Sequence, residues 1–263
     1  MTLQPHSKAW YDRLSKMQAG YYFPWKSTIP QMNGEDTYRD LVYQHLSSTA
    51  DILDSGCGHG DFPLEIAAHC RSILAYDRVS AYINIAHDSA RRRKITNVTF
   101  LCADSSAEFN DGKPRIPAEP GSFDLLISRR GPLNWIEDAR RVARPKAVLI
   151  QLNPEYRPVP PWNDQLPAPL RLPEPPPGSM REAVLHRLEI SGLTLHSCWS
   201  FDVPEVFTDP EELYISLVWG FAPGEVPAYR EVRKDLEGIF RYHSDPLGVV
   251  LRFRRFLWKT VVD

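Results

Sequence analysis

The sequence predicts an α/β fold built on a doubly wound, mainly parallel sheet, and three observations predict it. Short apolar runs alternate with amphipathic stretches from Ala50 onward, a glycine-rich turn joins the first run to the first helix, and an acid closes each of the first three runs. Strands that alternate with helices call for a parallel sheet covered on both faces, and right-handed crossovers leave few ways to wind it.

Ile52-Leu53-Asp54 reads as a buried strand, followed by the glycine turn and a helix over Phe62 to Cys70. Pro63 is tolerable in the first turn of that helix, where its missing N–H would have no partner. Ser72 to Asp77 makes a second strand, and Ser80 to Arg93 a helix with Ala81, Ile85 and Ala86 on one face. Val98 to Ala103 gives a third strand and Phe123 to Ser128 a fourth; Pro132 opens a helix to Val142, and Ala147 to Leu152 is the fifth strand. Farther on, Ser179 caps a helix to about Ser191 that Gly192 stops, and Thr194 to Phe201 reads as a sixth strand. Asp209-Pro210-Glu211-Glu212 opens a helix ending near Gly220, Tyr229 to Tyr242 is another, and Val249 to Trp258 is the last strand.

Two segments break the alternation. Residues 1 to about 48 are rich in aromatics and look helical in two pieces, broken at Gly20 and at Pro24 to Pro30. The stretch Asn153 to Gly178 contains Pro160-Pro161 and Pro175-Pro176-Pro177, too much proline for a helix or a central strand, and is expected to be an extended loop or polyproline piece. The predicted organisation is a helical cover or lid at 1–48 and one domain at 49–263 with a proline-rich insertion at about 153–178.

Composition narrows the function. With 43% hydrophobic and 24% charged residues the chain has the make-up of a globular protein with a full core. The 31 basic and 33 acidic residues leave a net charge of -2, a field that would not draw the protein to phosphate backbones or anionic membranes, so a nucleic-acid partner is the less favoured expectation. Cys57, Cys70, Cys102 and Cys198 form no C-x-x-C pair, so neither a metal site nor a disulfide framework is expected. The N-terminus lacks the blocks of a secretory signal and no run reaches the ~18 apolar residues of a membrane span. A cytoplasmic location without membrane attachment is the default.

The chemistry centres on Asp54-Ser55-Gly56-Cys57-Gly58-His59-Gly60. Glycine at these points lets the backbone turn sharply after a strand and lets a ligand touch the main chain. The plainer alternative is an ordinary tight turn. A dinucleotide fingerprint would need a third glycine at position 61, but the chain has Asp61, whose charge would repel a pyrophosphate. Asp77, followed by Arg78, ends the second strand where a carboxylate accepts from ribose hydroxyls, and Asp104-Ser105 ends the third, placed to accept from an adenine amino group. Each acid alone is as readily a cap or a surface group; together they mark the carboxyl edge where open α/β sheets bind ligands.

In order and spacing, Ile52-Leu-Asp-Ser-Gly-Cys-Gly-His-Gly-Asp61, Ala75-Tyr-Asp77, Phe100-Leu-Cys-Ala-Asp104 and Phe123-Asp-Leu-Leu-Ile127 resemble the motifs of class I, Rossmann-like methyltransferases that use S-adenosylmethionine. The resemblance implies a seven-stranded sheet whose last strand, after about Val249, is antiparallel. It also implies a cofactor site in which Asp54 and the backbone of Gly56, Cys57, Gly58, His59 and Gly60 hold the methionine part, Asp77 with Arg78 the ribose, and Asp104 with Ser105 the adenine. By the same likeness the fourth strand closes at the site, with Ser128 among the cofactor-binding residues and Arg129 and Arg130 on the acceptor side. They do not match the Asn/Asp-Pro-Pro-Tyr/Phe pattern of base amino-group methylation.

Arg129 and Arg130 can clamp a carboxylate or phosphate, or instead bridge to Glu137 or Asp138. Tyr22 and Trp25, in the aromatic N-terminal segment, are candidate acceptor walls, as small-ligand pockets use apolar and aromatic surfaces. No residue is marked as a catalytic base, since methyl transfer needs mainly alignment and exclusion of water. The expected function is methyl transfer to a heteroatom of a small polar or anionic acceptor. An rRNA or tRNA methyltransferase, and a noncatalytic S-adenosylmethionine-binding protein, are the alternatives.

Overall fold

A computed structural model describes Leu3, residues 7–155 and residues 158–263. Residues 156 and 157, inside the proline-rich segment, lie outside the described residues, as does most of the N-terminal stretch before Ser7.

Seven strands form one sheet. They are β1 (Asp51–Ser55), β2 (Ser72–Asp77), β3 (Val98–Cys102), β4 (Phe123–Arg129), β5 (Ala143–Glu155), β6 (Leu195–Phe207) and β7 (Val249–Val261). Their order across the sheet is β3-β2-β1-β4-β5-β7-β6. The first five run parallel, and β7 is antiparallel to both of its neighbours, as expected of the last strand. The helices are α1 (Lys8–Met17), α2 (Glu35–Tyr43), α3 (Asp61–Ile66), α4 (Ser80–Arg93), α5 (Ile136–Val142), α6 (Met180–Ile190), α7 (Pro210–Leu217) and α8 (Tyr229–His243).

Every residue of the central strand β1 is buried, because both faces of the sheet are covered. Alternation sends Ile52 into one layer, with Ile127 and Ile150 and with Tyr38 and Val42 of α2. Leu53 goes into the other, with Leu126 and Leu149 and with Trp135, Ile136 and Val184 of the region of α5 and α6. Thus α2 is built into a sheet face. The stretch between α1 and α2 is the part that crosses to the glycine turn, and it ends in a bridge of Thr28 to Val206 on β6.

Several elements depart from the sequence reading. The buried face of α4 is Tyr82, Ile83, Ala86, Ser89 and Ala90; of the expected trio only Ala86 is buried, since Tyr82 and Ile83 bury more apolar surface than Ala81 and Ile85 would. Pro132 leads into a turn and α5 begins at Ile136. Strands β5, β6 and β7 run longer than their apolar runs, because β6 and β7 continue as an antiparallel ladder from Leu195↔Thr260 to Phe207↔Val249 with charged residues on exposed positions.

The proline-rich insertion is only in part the expected extended loop: residues 171–176 have no regular structure, but the stretch before them is folded. Beyond the end of β5 it makes short 3-10 turns at Asn163–Gln165 and Ala168–Leu170. Trp162, Leu166 and Leu170 are buried against Phe207, Leu213, Leu236 and Leu251 in a third core. Asn163 staples the segment, its Nδ2 donating to Leu172 O at 3.1 Å and its Oδ1 accepting from Leu172 N at 2.9 Å. Apolar side chains between the prolines supply the burial that proline density hid.

Candidate active site

The carboxyl ends of β1, β2, β3 and β4 bring the predicted acids to one edge. The Gly56–Gly60 turn is closed on itself: Gly56 N and Cys57 N donate to Tyr76 O at 2.9 and 3.0 Å, Gly60 N to Cys57 O at 3.1 Å, and Gly58 N to Asp77 Oδ2 at 2.9 Å. Four backbone donors are therefore spent inside the protein, which leaves the turn poor in the free N–H groups a phosphate needs. Gly58 has φ of 57° and a Cβ there would meet nothing within 4 Å, so this glycine faces open space over the turn.

Around that space stand three carboxyls in different states. Asp54 is buried, and burial pushes it up to about 7, with Asp77 adding to the rise and Arg129 opposing it. Asp77 is also raised by burial, opposed by the N–H groups of Val79 and Gly58. Asp104 accepts from Ser106 N at 2.8 Å through Oδ1, while its Oδ2 is buried without a hydrogen-bond partner; Arg78 Nη1 stays 3.8 Å away. A buried acceptor left open in this way costs free energy unless something binds to it.

Other predicted residues turn inward. Ser105 Oγ accepts from Tyr76 Oη at 3.0 Å, and Tyr76 Oη is 2.7 Å from Ser55 Oγ, a buried hydroxyl chain beneath the site. Ser128 Oγ donates to Ser55 O at 2.7 Å and joins the ends of β4 and β1. A Cβ on Gly131 would meet Ser128 Oγ at 2.4 Å and Ser55 O at 2.7 Å, so only glycine fits beside this internal contact. The Cys57 thiol is raised well above its ordinary value by burial and is no ready nucleophile.

His59 tethers the N-terminal segment. Its Nδ1 accepts from Tyr21 N at 3.1 Å, which puts the ring proton on Nε2, 2.9 Å from Asp61 Oδ2. Tyr21 and Tyr11 are hydrogen-bonded to each other, both raised by burial and both close enough to feel Asp77. Tyr22 is exposed, and Trp25 lies in the Phe23–Trp219 aromatic cluster with its Nε1 donating to Glu205 Oε1 at 2.7 Å. The aromatics near Asp77 are therefore Tyr11 and Tyr21.

Arg129 and Arg130 do not bridge to Glu137 or Asp138, which pair with Arg187 and Arg141. Both approach Glu35, the first residue of α2. Successive strand residues point to opposite faces, and the pair converges because Arg130 leaves strand geometry for a left-handed φ of 61°. Arg255 of β7 reaches the same carboxylate, and Tyr38, one turn along α2, is wholly buried with its hydroxyl unpartnered among the described residues. Sequence reasoning missed Tyr11, Tyr21, Glu35, Tyr38 and Arg255, because each reaches the edge from a distant element; only the Glu35–Tyr38 spacing carries a local signal.

Residues 52–154 match the model of a methyltransferase domain. That stretch, β1 to β5 with the glycine turn, carries a methyltransferase domain. A curated protein to which the chain is similar is the 23S rRNA (uracil(1939)-C(5))-methyltransferase RlmD of Pectobacterium atrosepticum, 26% identical over 125 residues that make up 46% of this chain and 27% of that protein. The chain thus spans about a quarter of the length of the curated relatives it matches. Among solved structures, a protein of unknown function from Deinococcus radiodurans R1 superposes with a TM-score of 0.64 at 20% identity, over 96% of this chain and 99% of that one. The YcgJ protein of Bacillus subtilis gives 0.58 at 15% identity, over 87% and 99%. These likenesses show the fold. Among the described residues, no helix is long and apolar enough to cross a membrane, and no group of three or more His, Cys, Asp or Glu is placed to hold a metal ion.

Proposed function

We propose that the chain transfers the methyl group of S-adenosylmethionine to a heteroatom of a small polar or anionic acceptor. The observation that carries this reading is the unpartnered, buried Oδ2 of Asp104 on the same edge as Asp77 and the open face of Gly58. A neutral amino donor suits Asp104, ribose hydroxyls suit the remaining lone pairs of Asp77, and a turn whose N–H groups are spent suits a ligand without phosphates. Asp54, facing the methionine end, would meet an ammonium. The cofactor supplies an activated sulfonium methyl when bound. The chain's part is to orient the two partners and exclude water, with Gly56, Cys57, Gly58, His59 and Gly60 as the floor, and Tyr21 held over it by His59.

Residues 1–48 act in this reading as a cover through the stretch between α1 and α2, and Arg129 and Arg130 take the acceptor. A cytoplasmic setting fits four cysteines that are all free thiols. Calorimetry with S-adenosylmethionine, S-adenosylhomocysteine and NAD tests the assignment, and tighter binding of NAD would sink it.

The RlmD relatives favour a second reading, methyl transfer to RNA. Against it, the arginines at the site mouth are partly buried behind Glu35 and aromatic side chains, whereas phosphate backbones bind to open basic grooves. Binding of total cellular RNA at two salt concentrations, beside methyl transfer into a metabolite extract, separates the two. Label that enters the RNA fraction alone would establish the RNA reading.

A further inference from the structure

Three arginines from two distant strands meet one carboxylate at the mouth of the site. Arg130 Nε and Arg255 Nη1 lie 3.4 and 3.3 Å from Glu35 Oε1, and Arg129 Nη1 lies 4.0 Å from Oε2. These are loose contacts; a carboxylate in a paired arginine clamp accepts at about 2.7–2.9 Å. Glu35 Oε1 is buried and accepts no hydrogen bond among the described residues.

The start of α2 is capped without this carboxylate. Asn33 Oδ1 already accepts from Glu35 N at 3.1 Å to start α2, and Arg255 Nη1 donates to Asn33 O and Oδ1 at 2.9 and 2.8 Å. The other acid that Arg255 feels, Glu205, is occupied by Trp25 Nε1 and Ser27 Oγ. Three guanidinium groups therefore face one poorly bonded carboxylate. Arg255 also lines an open cavity of about 500 Å³ with Ser179, Phe201 and Arg254, whose acids Glu155 and Asp202 are engaged by Met180 N and Arg252. That cavity gives the body of a small molecule room beside the cluster.

We infer that Arg129, Arg130 and Arg255 form an oxyanion site for the acceptor, and that Glu35 occupies it as a tethered stand-in, displaced when a carboxylate or phosphate of the acceptor arrives. That the anion belongs to a methyl acceptor rests on the proposed function; the anion site itself does not. The stand-in keeps three like charges together in the empty enzyme and makes entry of an anion an exchange of one carboxylate for another.

The test is calorimetric titration of the whole chain with citrate and with inorganic phosphate, in the presence of saturating S-adenosylhomocysteine whose own binding is recorded first. Glu35→Gln should tighten binding of at least one anion about tenfold, equivalent to about 1.4 kcal/mol, and the stronger of the two identifies the acceptor as carboxylate or phosphate. Adding Arg255→Gln should abolish the gain. Should Glu35→Gln unfold the chain, Glu35→Asp, which withdraws the carboxylate by one methylene, should give a smaller gain in the same direction. Anion binding that is unchanged or weakened in these variants overturns the inference, and so does a gain seen for total RNA but for neither small anion. Tightened anion binding with no binding of S-adenosylhomocysteine would uphold the anion site while refuting methyl transfer.

Discussion

Asp51 and Asp54 stand at opposite ends of the same strand, β1, and their carboxyls are displaced in opposite directions. Asp51 accepts from Arg71, from Ser72 Oγ at 2.6 Å and from Arg144 Nη2 at 2.7 Å, which holds it well below the usual carboxylate range. Asp54 is raised to about 7 by burial at the ligand edge. One end of the sheet is charged and tied down; the other is kept able to change its charge.

Asp51→Asn should destabilise the fold by about 1–3 kcal/mol, since it removes charge-assisted bonds at a largely buried position with partly exposed partners. The sign with pH follows from the depressed carboxyl. Its contribution is present above the unfolded value near 3.8 and is lost as pH falls through the lower folded value. Urea midpoints of the two proteins should differ at pH 7 and converge in acid.

Asp54 predicts the reverse. Between about 3.8 and about 7 the folded chain keeps a proton that the unfolded chain has lost, so this group's contribution is full at low pH and declines as pH rises toward 7. A cationic ligand end favours the carboxylate, so S-adenosylhomocysteine should release a proton when it binds at pH 6. Calorimetry in buffers of different ionisation enthalpy counts it. Wild-type binding without release, or release that persists in Asp54→Asn, removes Asp54 from contact with the cation.

Asp77 and Asp104 should differ on mutation. Asp77→Ala should weaken cofactor binding by roughly ten- to a hundredfold and loosen the glycine turn, since Asp77 also accepts from Gly58 N and Val79 N. Asp104→Ala removes one oxygen that accepts no hydrogen bond among the described residues and one that accepts from Ser106 N. It should cost about tenfold in affinity with a smaller loss of thermal stability than Asp77→Ala, since one backbone donor is left open and not two. Differential scanning calorimetry with and without S-adenosylhomocysteine separates the two effects.

Arg129→Lys should lower turnover on acceptors in a metabolite extract by tenfold or so although charge is kept, because lysine cannot present two parallel donors. An unchanged rate with an intact circular dichroism spectrum would remove Arg129 from the acceptor side.

Trp162→Ala should cost about 3–5 kcal/mol, the range for truncating a buried aromatic, and leave cofactor affinity untouched. Its ring belongs to the core shared by the proline-rich insertion, α7 and α8. A loss of affinity without a loss of stability would place the insertion in the site instead.

The parallel strands, the glycine turn and the acids at Asp54, Asp77 and Asp104 were legible because their signals are local: apolar runs of strand length, glycines at a junction, an acid after each run. The insertion was not, because proline density describes what a backbone cannot do and says nothing of Trp162, Leu166 and Leu170 finding a core. Nor were Glu35 and Arg255, which are far apart in the chain and meet only because β7 is threaded beside β5 and α2 covers the same edge. Nor was Tyr21, whose place near Asp77 is set by the hydrogen bond from its backbone to His59.

The place of β7 between β5 and β6 also bears on how the chain assembles during translation. β6 touches the sheet only through β7, which follows it in the chain by more than forty residues. While a ribosome is still making α7 and α8, β6 lacks the strand it pairs with in the finished sheet, and the bridge from Thr28 to Val206 has no fixed partner. The glycine turn and its acids can already be in register, since β1 to β5 pair among themselves. A nascent chain would thus own a ligand cradle before it could close the cover above it, and would gain that closure only when Val249–Val261 slides between two strands made earlier.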